Sequence, residues 1–133
     1  MKLNQDCIRD ILLACEKLLV MNDDGTMNEI SDRILCTHIS NYDLATIKYT
    51  VKYLKETDLL SASIFEADMV AVLGFCIYDI KPLGHEFISN IRNDTIWNKV
   101  KDYSKKVGST SIKSLINIAE IVVSEAIKKA MGI

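Results

Sequence analysis

Proline occurs once in this chain, at Pro82, tryptophan once, at Trp97, and histidine twice, at His38 and His85. So few histidines leave little for acid–base or nucleophilic chemistry. A Cys–His pair would need a supporting local motif, and none surrounds either residue. His85 reads as a residue that caps or packs at a helix start. The chain is expected not to be an enzyme and to need no cofactor. Cysteine is sparse as well: Cys7, Cys15, Cys36 and Cys76 include no pair at zinc-ligand spacing. Nowhere does an apolar run approach the ~20 residues of a membrane span. The first residues, through Asn4, Gln5 and Asp6, carry no signal-peptide core. These absences predict buried, reduced thiols, a cytoplasmic setting and no membrane partner. Positive charge is not in excess either: 16 Lys and Arg stand against 18 Asp and Glu, a formal net charge of −2. A protein that coats nucleic acid nonspecifically is thereby excluded.

What is present describes one globular domain over residues 1–133. Hydrophobic residues make up 49% and charged residues 26%, enough to build an ordinary core. Asn4 can cap a helix from Gln5 to Val20, whose stripe is Cys7, Ile8, Ile11, Leu12, Cys15, Leu18 and Leu19. Asn22–Gly25 then reads as a polar turn, because the ligand ladder and closing Glu of an EF-hand are missing. Met27 to Ile39 admits two readings. Ser31 can cap a short helix carrying Ile34 and Leu35, or Leu35, Thr37 and Ile39 can alternate as a strand.

Ser40 or Asn41 opens the next helix, with Asp43 completing a capping-box-like start. Leu44, Ile47, Val51 and Leu54 are expected to face inward. Leu59–Phe65 and Gly74–Ile80 are β-like runs, and Glu66 to Leu73 between them has no assigned structure. Two strands between helices make a wing pattern. At Pro82 and Gly84 the chain turns from extended to helical. Phe87, Ile88 and Ile91 recur at helical spacing, and Asn93 or Asp94 can cap a second helix carrying Ile96, Trp97 and Val100. Gly84 reads as a close-packing residue, since no phosphate-loop pattern surrounds it.

Gly84-His85-Glu86-Phe87, followed by Ile91-Arg92, Asp94, Trp97 and Lys99, resembles the signature of the YjcQ-like proteins. These are uncharacterised winged-helix proteins of bacteria, phages and prophages. The resemblance extends upstream over Tyr42 to Lys55 and downstream over Gly108 to Leu115. It implies a phage or mobile-element origin and lends no catalytic residues. The expected fold is mainly α with a small β-wing (α+β). A winged helix-turn-helix over 1–81 is followed by C-terminal helices over 82–133.

A winged helix invites a nucleic-acid reading. In a helix-turn-helix the second helix faces the major groove. Helical spacing turns Ala45, Tyr49, Lys52, Tyr53 and Glu56 outward. Thr46, Lys48, Lys52 and Lys55 are the candidate nucleic-acid contacts. Against them, the wing holds Glu66, Asp68 and Asp79 with Lys81 alone, and backbone phosphates repel such a wing. Lysines concentrate instead at Lys99, Lys101, Lys105, Lys106 and Lys113, which read as a solvated helix face.

Gly108 stops one helix, and Ser109 or Thr110 caps the last. Ile112, Leu115, Ile116, Ala119, Val122, Val123, Ala126, Ile127 and Ala130 cover about half the circumference of that last helix. The expected function is a non-enzymatic interaction module that binds a host or defence protein, or self-associates through this helix as a dimer. Its candidate surface is Tyr49, Lys52, Tyr53, Ile116, Val123 and Ile127. The alternative is a sequence-specific DNA-binding regulator of the winged-helix type, favoured by fold analogy.

Overall fold

A computed structural model describes residues 1–68 and 71–133. The described residues form helices α1 (Gln5–Leu18), α2 (Asp32–His38), α3 (Leu44–Glu56), α4 (Pro82–Ile91), α5 (Asp94–Val107) and α6 (Ile112–Ala130). Strands β1 (Ile30–Ser31), β2 (Leu60–Ala67) and β3 (Ala71–Ile80) make one antiparallel sheet of order β1-β3-β2. The fold is thus mainly helical with a small sheet, as the α+β expectation had it. Contacts divide the chain into two compact units, Met1–His85 and Glu86–Ile133.

In the first unit, Asn4 Oδ1 accepts the Cys7 N–H at 3.0 Å and starts α1. Of its predicted stripe, Cys7, Ile8, Ile11, Leu12 and Cys15 are buried, while Leu18 and Leu19 are only half-buried. The helix stops at Leu18, two residues short of the expected Val20. Asn28 explains this: its side-chain amide donates to the Leu18 carbonyl at 2.7 Å, and its oxygen accepts the Val20 N–H. Asn22–Gly25 is a polar turn, with the Thr26 N–H and hydroxyl both donating to Asp24 Oδ1.

Of the two readings of Met27–Ile39, the short helix capped by Ser31 forms; Leu35 and Thr37 lie within it and not in a strand, and the strand of this stretch falls earlier. Ile30 and Ser31 pair with Ile77 and Cys76 of β3, and Ser31 then caps α2 by accepting the Ile34 N–H. The cap of α3 is Asp43, whose Oδ1 accepts the Thr46 N–H at 2.8 Å, and not Ser40 or Asn41. Leu44 therefore opens the helix with no turn before it to share its face, and it is 49% exposed where burial was expected. Ile47, Val51 and Leu54 are buried.

Strands β2 and β3 are longer than the sequence runs, reaching Ala67 and Ala71. Met69 and Val70, in the middle of the unassigned Glu66–Leu73 stretch, lie outside the described residues. The register of β2 on β3 shifts twice, between Ser61 and Ala62 and between Phe65 and Glu66. Phe75 and Ile77 of β3 point into the core.

The second unit rests on two capped helices packed on each other. Asn93 caps α5 by accepting the Ile96 N–H at 3.1 Å, and Gly108 closes it in the left-handed region at φ 78°. A residue with a Cβ is strained in that conformation, so glycine suits the stop. Ser111, not Ser109 or Thr110, caps α6 by accepting the Ser114 N–H at 3.1 Å. Ser109 serves the same joint differently: its carbonyl accepts the hydroxyl of fully buried Ser104, and its own hydroxyl donates to Ser114 Oγ. Trp97 and Val100 of α5 are buried, as are Ile112, Leu115, Ala119 and Val122 of α6. Ile96, expected in the α5 stripe, is only half-buried.

Candidate functional site

The buried stripe of α6 ends at Val122, and every residue from Ile127 onward is exposed. Apolar side chains flank the stripe on both sides. On one flank Ile116 and Val123 are half-buried and Ile127 is exposed, so these three predicted surface residues share an edge of the helix. On the other flank Ile118 is half-buried and Ile121 is 62% exposed.

That second flank faces α5 across a groove of about 690 Å³. Lys99, Tyr103 and Val107 supply the α5 wall. Their spacing of four residues places them in one row along the helix. Ile118, Ile121, Val122, Glu125, Ala126 and Lys129 supply the α6 wall, with Lys128 and Ile133 completing the lining. Tyr103 is 48% and Val107 71% exposed. Lys106 Nζ lies 5.4 Å from the centre of the Tyr103 ring, within range for a cation–π contact. Among the expected lysine cluster, Lys101 similarly lies over the Trp97 ring at 5.9 Å.

Groove residues Tyr103, Val107, Ile118, Ile121 and Ile133 were not among the sequence candidates. Ile121 did carry a signal: it is an isoleucine on the helix side otherwise occupied by Lys113, Asn117, Ser124 and Lys128.

A second candidate face lies on α3. The Tyr49 and Tyr53 rings are tilted on each other with centroids 4.9 Å apart. Tyr49 also donates its hydroxyl to the Met1 carbonyl at 3.1 Å. Both tyrosines, expected to point outward, are half-buried, because they pack on one another and Tyr49 is tied to the chain's first residue. Lys48 and Lys52 are half-buried and Lys55 is exposed. Thr46 is engaged with the Asp43 cap, and its hydroxyl and N–H hold the Asp43 carboxyl below the usual carboxylate range.

The hairpin end of the sheet exposes Phe65 and Leu73 beside Glu66 and Asp68. At the opposite end of β3, Lys81 is paired with Asp58 at 3.2 Å. His38 and His85 are both exposed, His38 in the last turn of α2 and His85 in the first unit's part of α4. All four cysteines are free thiols. Burial pushes Cys15 up to about 12 and Cys7 up to about 11. Burial, then the hydrogen bond to the Glu29 carboxylate, raises Cys76 to about 11. A thiol so shifted is protonated at neutral pH and a poor nucleophile. Among the described residues, no three His, Cys, Asp or Glu side chains converge to hold a metal ion. No helix among them is long and apolar enough to cross a membrane.

A family model described as a hypothetical protein (DUF2513) matches residues 2–111, ending at the residue that caps α6. An uncharacterized protein of Haemophilus influenzae is 30% identical over 130 residues, covering 94% of this chain and 98% of that one. No solved structure matches the chain.

Proposed function

The chain belongs to the DUF2513 family of hypothetical proteins, and from that premise we propose that it is a non-enzymatic interaction module built on a winged helix. In this reading it is a phage or mobile-element product that works in the cytoplasm by binding a host or defence protein. The winged-helix part is supported by the order of elements in the first unit. A helix, a short strand, two helices and a hairpin follow one another, and β3 lies centrally between β1 and β2. The kinship with YjcQ-like proteins is part of the same proposal.

The observation that carries the interaction reading is the open apolar groove of the second unit, where Tyr103, Val107 and Ile121 meet solvent together. Contiguous exposed apolar surface is uncommon on a protein with no partner. Polar surface would be cheaper for a helix pair whose only task was to pack on itself.

Winged-helix DNA binding is the second reading, favoured by Lys52 and Lys55 on α3, the helix that follows α2 in a helix-turn-helix order. Electrostatics speak against it. Asp43 places a carboxylate at the N-terminus of α3, the position a phosphate would otherwise use. Glu66 and Asp68 stand at the hairpin end. Phosphate neutralisation dominates duplex affinity, and neither element supplies it.

A titration against random and genomic duplex pools at about 150 mM salt separates the readings. No binding tighter than the nonspecific range, about 10⁻⁴ to 10⁻⁶ M, is expected. A selected sequence bound with nanomolar affinity, and released on substituting Lys52 and Tyr49, would replace the interaction module with a transcription regulator.

A further inference from the structure

We infer that the groove between α5 and α6 receives an acidic amphipathic helix of a partner protein. The inference rests on the interaction-module reading and gives its partner a chemistry.

Charge on the rim comes first. Lys99, Lys128 and Lys129 border the groove against Glu125 alone. Lys106 stands over Tyr103 on the same wall. An apolar floor inside a basic rim selects an occupant with an apolar face and acidic flanks. Groove walls matter next. Both are α-helices, whose backbone N–H and carbonyl groups are used within the helix. An extended peptide that adds to a sheet edge finds no ladder there, whereas a third helix can lay anchors at helical spacing into the trough.

Two other occupants fit less well. A small molecule is normally enclosed over most of its surface, yet Ile121 and Val107 are each more than half exposed. A second copy related by a two-fold axis would bring the same lysine-bordered patch against itself. Like charges would then face each other across an apolar contact.

Three synthetic peptides probe the full chain by fluorescence anisotropy. The first carries leucines at helical anchor spacing with glutamates on both flanks. A second replaces each glutamate with lysine, and a third scrambles the first so that the stripe is lost. The acidic amphipathic peptide is expected to bind at least about tenfold tighter than either control, with the margin shrinking as salt rises. Ile121→Glu should remove this binding. Lys128→Glu with Lys129→Glu should turn the preference toward the lysine peptide. Both sites are exposed, so both variants should melt as wild type does. If Ile121→Glu unfolds, the lysine pair decides.

Equal binding of the three peptides, or none, overturns the inference. So does a dimer that Ile121→Glu dissociates, which would give the groove to a second copy. Acidic-peptide binding lost on changing Lys52 and Tyr53, but indifferent to α6, overturns the groove and leaves the interaction module standing. Nanomolar duplex binding fails the module itself.

Discussion

Gly84→Ala tests how the end of the sheet meets the start of α4. A Cβ built on Gly84 lies 2.3 Å from the Leu59 carbonyl oxygen and 2.8 Å from Ile80 Cγ2. Favourable contacts need about 3.5–4.0 Å between carbons, so the new methyl cannot be accommodated in place. The obstacle cannot rotate aside, because the carbonyl belongs to the backbone and already accepts the Lys81 N–H at 3.0 Å. Leu59 and Ile80 are themselves buried. Helix propensity pulls the other way, since alanine is favoured over glycine by about 1 kcal/mol in a helix interior. Overpacking a tight site costs about 1–3 kcal/mol, and a rigid obstacle belongs at the upper end. The net expectation is a loss of about 1–2 kcal/mol, or about 4–8 °C in Tm for a chain of this size. Thermal and urea melts followed by circular dichroism measure it. Ser89→Ala, at an exposed position of the same helix, serves as the control and should stay within about 0.5 kcal/mol of wild type. A Gly84→Ala protein melting at or above wild type would mean that Leu59 and α4 do not approach as described.

Two further expectations concern the core and alkaline stability. Trp97 is 2% exposed, so Trp97→Ala should cost about 3–5 kcal/mol, and wild-type emission should be blue-shifted; a solvent-like spectrum or an unchanged melt contradicts this. Burial raises Cys7 and Cys15, while burial and then the 2.6 Å hydrogen bond to Asp10 raise Tyr42. Each group keeps its proton in the fold at a pH where the unfolded chain has lost it, so their contribution is complete below about pH 8.5 and declines as pH rises through the thiol and phenol ranges. Melts across this range should show the decline, and Tyr42→Phe should lessen its part above about pH 10; a flat profile to about pH 11 refutes it.

Where the sequence was legible, the signal was local and undivided. Asn4 is a good cap just ahead of the α1 stripe and serves as that cap. At α5, where Asn93 and Asp94 were both open as caps, Asn93 is the one used. Where several polar residues run together, each can cap, and the choice falls to the register that buries the following stripe. Hence Asp43 rather than Ser40 or Asn41, with Ile47, Val51 and Leu54 inside. Hence also Ser111 rather than Ser109 or Thr110, with Ile112 and Leu115 inside. Ser31 hid two elements at once, because it closes β1 and caps α2.

The groove was harder to read for a different reason. A single off-stripe residue such as Ile121 adds little to a helical period. Its meaning depends on Tyr103 and Val107 of another helix, which periodicity within α6 does not contain. Ile116, Val123 and Ile127 stand out in the sequence because they extend the stripe itself, and they lie on the other flank of α6 from the groove.

The two register shifts of β2 bear on colloidal behaviour. In the order β1-β3-β2, this strand is an edge, and an edge strand is a template on which a neighbouring molecule can nucleate cross-β growth. Between the shifts only Ala62, Ser63, Ile64 and Phe65 keep a straight ladder. Cross-β stacking draws on segments of about six or seven residues, so an incoming strand runs out of matched partners before it has docked. Beyond the second shift it meets the carboxylate of Glu66, which is exposed. Apolar Ile64 and Phe65 can therefore sit on an open edge without making the folded protein a seed for fibrils.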